Sequence, residues 1–225
     1  MTGREEQAQT SPIQTSQAET RDSLAALRRF TRTQAPSVER CELCGLALAP
    51  EHPHLLERQT RRVSCACEAC SILFCGQVGA RFLRVPRRIR RLDDFAFSDA
   101  EWEEMMLPIG LAFFLLNESG RAVAMYPSPA GVVESLIALD TWNERVSSHP
   151  SLRSMEPEVE ALLVNRIGAE QAYFLVPIDE CYKLAGVMRQ NWRGLSGGLK
   201  VWGAVAHFFD DLREKASDGK QVRYA

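Results

Sequence analysis

The sequence has no long hydrophobic run. Its longest apolar stretch, Leu107–Leu116, covers ten residues, about half of the roughly 20 that cross a bilayer, and no charged-then-apolar segment opens the chain. Neither a membrane span nor a secretion signal is expected, and the expected location is the cytoplasm. An excess of base is missing too. The 27 Lys and Arg residues face 29 Asp and Glu for a net charge of -2, whereas a nucleic-acid binder shows surplus Lys and Arg for phosphate neutralisation. Lysine is scarce, 4 against 23 arginines, a bias read as genomic composition. Also missing are a Walker loop, a dinucleotide-binding GxGxxG and a metalloprotease HExxH. With no catalytic motif assembled, no catalytic residue is assigned and a non-enzymatic role is expected.

Cysteine is what the chain has in quantity. There are seven, and six fall between Cys41 and Cys75. In a cytosolic chain such clustering points to metal rather than to disulfides. Cys41-Glu-Leu-Cys44-Gly is followed after twenty-two residues by Cys67-Glu-Ala-Cys70. Each CxxC pair forms a tight knuckle presenting two thiolates, and two pairs complete a tetrahedron around Zn. Gly45 fits, because the residue after a knuckle's second cysteine often needs a positive φ. The second pair runs into Ser71-Ile-Leu-Phe74, so Cys67 can open a short helix. This favours a treble clef over a zinc ribbon. Four thiolates leave no open coordination position, which makes the metal a staple for a segment too small to build its own core.

Three further residues lie close by in sequence. Cys65 precedes Cys67 by two, and His52-Pro-His54 sits between the CxxC pairs. Cys65, His52 and His54 are candidates for an additional metal or for support around the four thiolates. The two histidines are not expected to ligate the four-thiolate ion, since that ion is already satisfied and Pro53 restrains how the rings converge. An alternative reading places an iron-sulfur cluster, or transiently carried nickel or iron, on Cys65, Cys67 and Cys70. A His-Asn-His nuclease is disfavoured because no Asp or Asn neighbours the histidines. Cys75 reads as a small buried residue. Cys181 reads as packed and inert, although a place in the first turn of a helix capped by Asp179 could activate it.

The rest of the chain reads as α+β: the small metal module, then an antiparallel-sheet domain with C-terminal helices. Residues 1–22 are a polar tail, 23–80 the cysteine-rich module opened by a short helix from Ser23, 81–217 the α+β domain and 218–225 a second tail. Strands are expected at Leu111–Leu116, Ala122–Tyr126, Val132–Ile137 and Tyr173–Val176. Helices are expected at about 140–148 and 156–166, the second opened by Pro157 and its neighbouring glutamates. A further helix runs from Asp179 to about Trp192. After the Gly194–Gly198 break comes an amphipathic helix with Trp202, Val205, Phe208, Phe209 and Leu212 on its core face. Asp140, Ser147, Ser148 and His149 are hydrolase residue types without any implied geometry. The arginine-rich stretch Arg81–Arg91 is expected to face the acidic run that follows it. Arg87 and Arg88 in it are candidates for binding a protein partner. Nucleic acid is the lesser alternative.

A resemblance rests on these motifs taken together: Cys41-Glu-Leu-Cys44-Gly, His52-Pro-His54-Leu-Leu-Glu57, Cys65-Ala-Cys67-Glu-Ala-Cys70 and Phe74. It extends to Gly110–Phe114, Tyr126–Gly131, Pro177–Tyr182, Trp192-Arg-Gly194 and Gly197-Gly198. From about residue 23 to 216 the chain resembles an uncharacterised bacterial family associated with gene clusters of nickel-iron hydrogenases. The resemblance implies an accessory role in hydrogenase maturation, assembly or electron transfer, with hydrogenase subunits or maturation factors as partners. It supplies no catalytic residues.

Overall fold

Two antiparallel sheets organise the chain. The computed structural model describes residues 38–135, 142, 149–168, 170–194 and 197–217. The two tails, the helix from Ser23 and most of the segment 140–148 lie outside these residues. By its contacts the chain divides between Val38 and Glu39, and the elements below belong to the unit Glu39–Ala225.

The smaller sheet has the order β2-β1-β3, from β1 (His54–Glu57), β2 (Val63–Cys65) and β3 (Phe82–Arg84). Between β2 and β3 runs the helix α1 (Glu68–Phe74). The module boundary read at residue 80 falls just short of β3, which this sheet takes as its third strand. The remaining elements are β4 (Arg90–Arg91), α2 (Asp99–Glu104), β5 (Leu111–Leu116), β6 (Ala122–Ser128), β7 (Gly131–Glu134) and α3 (Pro150–Arg153). They are followed by β8 (Glu160–Asn165), β9 (Ala172–Pro177), α4 (Ile178–Asn191) and α5 (Gly198–Ser217). The larger sheet has the order β4-β9-β8-β5-β6-β7, and its pairings are all antiparallel. The α+β class and the C-terminal helices agree with the sequence.

The larger sheet is covered on both faces, and the two-residue period of its strands sorts the side chains. Leu111, Phe113 and Leu115 of β5 join Leu163, Phe174 and Val176 against Cys181, Leu184 and Met188 of α4 and Val201, Val205, Phe209 and Leu212 of α5. Leu56 of β1 and Val85 enter this same core, which ties the small sheet to the large one. The alternating residues Ala112, Phe114, Leu162, Val164, Tyr173 and Leu175 pack on the opposite side against Phe95, Phe97, Trp142, Leu152 and Met155. The amphipathic face read for α5 is confirmed, with Trp202 and Phe208 at its half-buried margin.

One element differs in kind. The segment read as a helix at 156–166 is instead β8, which pairs with β5 and β9. Its six residues are all buried. Burial on both faces gives an unbroken apolar run, which periodicity cannot distinguish from a helix. The glutamates that suggested a helix start have other partners: Glu158, at φ 67, accepts from Arg58 at 3.0 Å, and Glu160 pairs with Arg88. Asp179 likewise does not cap α4, whose cap position is Pro177.

Candidate metal centre

The first CxxC pair lies in a tight turn. Cys41 N–H donates to Leu46 O and Gly45 N–H to Cys41 O, both at 2.8 Å. Arg40 bridges to Ala47, and Gly45 takes φ 77 to close the loop. Glu42 fastens this loop to β2: its N–H donates to Cys65 O at 2.9 Å, and its carboxylate accepts from Cys65 N–H at 3.0 Å. The second pair belongs to α1. Cys67 is the cap residue, its sulfur accepting from Cys70 N–H, and Cys70 follows in the first turn.

These two turns bring Cys41, Cys44, Cys67 and Cys70 together with their sulfurs all within 4.8 Å of one another. Cys44 Sγ and Cys67 Sγ are 3.7 Å apart. Cys41, Cys67 and Cys70 are buried with Leu55 and Ala66, while Cys44 closes the site from the exposed side. Burial opposes ionisation of Cys41, but the backbone N–H groups of Cys67, Cys44 and Leu43 donate to its sulfur and hold its pKa at about 6. The Cys70 thiol is pushed up to about 12, first by burial and then by the neighbouring Cys67, Cys44 and Cys41. Four thiols this close cannot all ionise side by side unless a cation joins them, so the cluster is able to hold a metal ion with proton release. The donor set of four sulfurs suits Zn or iron.

His52, His54 and Cys65 stand apart from those four sulfurs and form a second group, with their ligand atoms within 4.8 Å of one another. The two imidazole rings meet edge to face with centroids 5.0 Å apart. Pro53 does not keep them apart, contrary to the reading of the sequence. Its carbonyl accepts from Ala66 N–H at 2.9 Å. The set Cys65, Cys67 and Cys70, considered for an iron-sulfur cluster, is not one that the fold collects among the described residues.

The other candidates resolve as follows. Cys75 is half-buried against the small core, where desolvation raises its pKa. Cys181 is fully buried, and desolvation, then the charges of Asp179 and Glu180, raise its thiol well above the ordinary value. His149 Nε2 donates to the Asp94 carboxylate at 3.0 Å, while Asp140, Ser147 and Ser148 lie outside the described residues. The segment Gly194-Leu-Ser-Gly-Gly198 has the GxSxG spacing of a hydrolase nucleophile elbow, a motif that the reading of the sequence counted as absent. It joins helix α4 to helix α5, not a strand to a helix as such an elbow requires.

Four of the six arginines at 81–91 pair with acids from elsewhere in the chain. Arg81 pairs with Glu57, Arg84 with Glu68 at 2.6 Å, Arg87 with Glu51 at 3.5 Å and Arg88 with Glu156 and Glu160. Arg91, with Asp93 at 2.7 Å, turns to the acidic run expected to face the stretch. Arg87, Arg88, His52, His54 and Asp179 all line one cleft of about 960 Å³ between the two sheets and α4.

A cysteine cluster able to hold a metal, mounted beside a helix-covered antiparallel sheet, defines the class of protein. The chain belongs to a family of unknown function, DUF5947, whose profile matches residues 40–216 and so takes in the four cysteines, both histidines and Asp179. No curated protein and no solved structure matches the chain.

Proposed function

We propose that the protein is a cytoplasmic, non-enzymatic zinc protein that works through protein contacts, with one Zn held in a treble clef by Cys41, Cys44, Cys67 and Cys70. The convergence of the four sulfurs within 4.8 Å carries this reading. The order of elements also supports it: a cysteine turn, the β1–β2 hairpin, then a helix whose start supplies the last two thiols. A closed four-sulfur shell gives the ion a structural task, since no position is left for a substrate.

Contact with a protein is supported by the apolar side chains that this module leaves exposed. Leu46, Ile72, Leu73, Phe74 and Val78 are all exposed, and exposed apolar surface of this kind marks interaction sites in soluble proteins. Intramolecular pairing of the arginines at 81–91 favours a protein partner over nucleic acid. No helix among the described residues is long and apolar enough to cross a membrane. The partner we propose is a nickel-iron hydrogenase subunit or maturation factor, on the strength of the family resemblance.

Metal analysis of an anaerobic preparation tests the cofactor. A colourless protein with zinc supports the reading, and a brown one dominated by iron replaces it with an iron-sulfur protein. Deletion of the gene tests the partner. Hydrogen uptake at low hydrogen concentration should fall while transcription of the hydrogenase structural genes stays unchanged, and normal uptake removes hydrogenase from the account.

A further inference from the structure

The hairpin β1–β2 presents two imidazoles and a thiol on one side. His54 and Cys65 are directly opposed across the strands, and His52 lies two residues before His54, with the Pro53 carbonyl between them accepting from Ala66 N–H at 2.9 Å. The register puts the His54 and Cys65 side chains on one side of the hairpin, and the His52 ring meets that of His54 with centroids 5.0 Å apart. Their ligand atoms lie within 4.8 Å of one another.

Both histidines are oriented through one nitrogen so that the other is left over. His54 Nδ1 is 2.7 Å from Asp179 Oδ2, a carboxylate delivered by α4 from 125 residues away. His52 Nδ1 is 2.9 Å from the carbonyl of Ala49. Such contacts fix the tautomer with Nε2 as the free lone pair, and a metal-binding histidine almost always makes one. His52 is 8% exposed, and its Nε2 is buried with no hydrogen-bond partner. A buried ring nitrogen left without a partner is unfavourable, and a bound cation supplies what is missing.

We propose that His52 Nε2, His54 Nε2 and Cys65 Sγ bind a second divalent ion of the zinc class, distinct from the four-thiolate site, with a fourth position open to an exchangeable ligand. Two imidazoles and one thiolate suit Zn, Co or Ni rather than Mg or Ca. Three protein ligands are the complement of an accessible ion, in contrast to the closed shell of the cysteine cluster. Both histidines line the cleft, whose walls carry seven Lys and Arg against four Asp and Glu. Water or a small anion drawn by that surplus of positive charge completes the shell. Asp179 is a positioning residue, acting on the ion only through His54.

The test uses the full chain, saturated with Zn and freed of excess by buffer exchange, with metal content and X-ray absorption measured on the same sample. Two ions per chain and a mixed shell in which sulfur outnumbers nitrogen are expected. His52→Ala/His54→Ala should lose one ion and leave an all-sulfur shell. Cys44→Ser should instead weaken the sulfur-rich ion and keep the nitrogen-ligated one. Asp179→Asn should lower the affinity of the second ion alone by about 10–100-fold in chelator competition. A wild-type chain with one ion in an all-sulfur shell overturns this proposal and leaves the four-thiolate reading standing. Should the double histidine variant fail to fold, the nitrogen shell and stoichiometry of the wild-type chain decide by themselves.

Discussion

Arg88 grips Glu160 with both ends of its fork: Nε reaches Oε1 at 2.5 Å and Nη2 reaches Oε2 at 2.7 Å. Glu160 is completely buried at the start of β8, and its Oε2 also accepts from Glu156 N–H at 2.8 Å. Residues 88 and 160 are thus coupled across the sheet, and Arg88 holds the fold together before it can serve any partner. Arg88→Ala should cost about 3 kcal/mol in chemical denaturation, the low end of the range for broken buried pairs because the guanidinium is partly solvated. Arg87 faces the highly exposed Glu51, so Arg87→Ala should stay within about 0.5 kcal/mol of the parent. A charge reversal meant to probe partner binding is therefore interpretable at Arg87 and confounded at Arg88.

Gly45 closes the first cysteine turn at φ 77, with open space where a Cβ would stand. Gly45→Ala meets no clash, so its cost is that of the backbone conformation, about 1–2 kcal/mol. Since the turn is part of the cysteine cluster, the variant should also bind zinc more weakly than the parent. Calorimetric unfolding with and without zinc checks both effects.

Glu57 and Asp94 shape the acid limb of the stability curve. Hydrogen bonding by Thr60, then Arg81, lowers the Glu57 pKa from the ordinary 4.5. His149 lowers that of Asp94 from 3.8. Carboxylates whose folded pKa is depressed stabilise the fold above their unfolded values, and that contribution is lost as pH falls through the lowered ones. The variant Glu57→Gln/Asp94→Asn should lose less melting temperature than the parent between about pH 6 and about pH 3. Equal losses would show that neither carboxylate matters to folding.

Thiol labelling should separate the seventh cysteine from the rest. Cys181 is fully buried with a raised pKa, so an alkylating reagent should modify it only after denaturation. In metal-free protein Cys44, exposed in the fold, should react ahead of it.

Spacing made the cysteine cluster legible, because CxxC is a local signal: the turn at Cys41–Gly45 and the helix start at Cys67 both follow from neighbouring residues. Strand β5 and helix α5 were legible for the same reason, their patterns being bounded by clear turns. Strand β8 was not. Glu156, Pro157, Glu158 and Glu160 imitate a helix start, and the apolar run behind them is uniform because both faces of the sheet are covered. The link between His54 and Asp179 could not be read either. It joins residues 125 positions apart, and within its own segment Asp179 has all the marks of a helix cap. A glutamate at the head of an apolar run, with an arginine-rich stretch elsewhere to pair with it, is the signal that could have pointed to Arg88 and Glu160.

Native mass spectrometry of the full chain beside its Cys41→Ser/Cys44→Ser variant tests the central claim most directly, because these two thiols are half of the sulfur shell. The account predicts that the parent carries zinc at this site and that the variant is lighter by one zinc ion. Equal zinc in the two proteins, or iron in place of zinc in the parent, would contradict it.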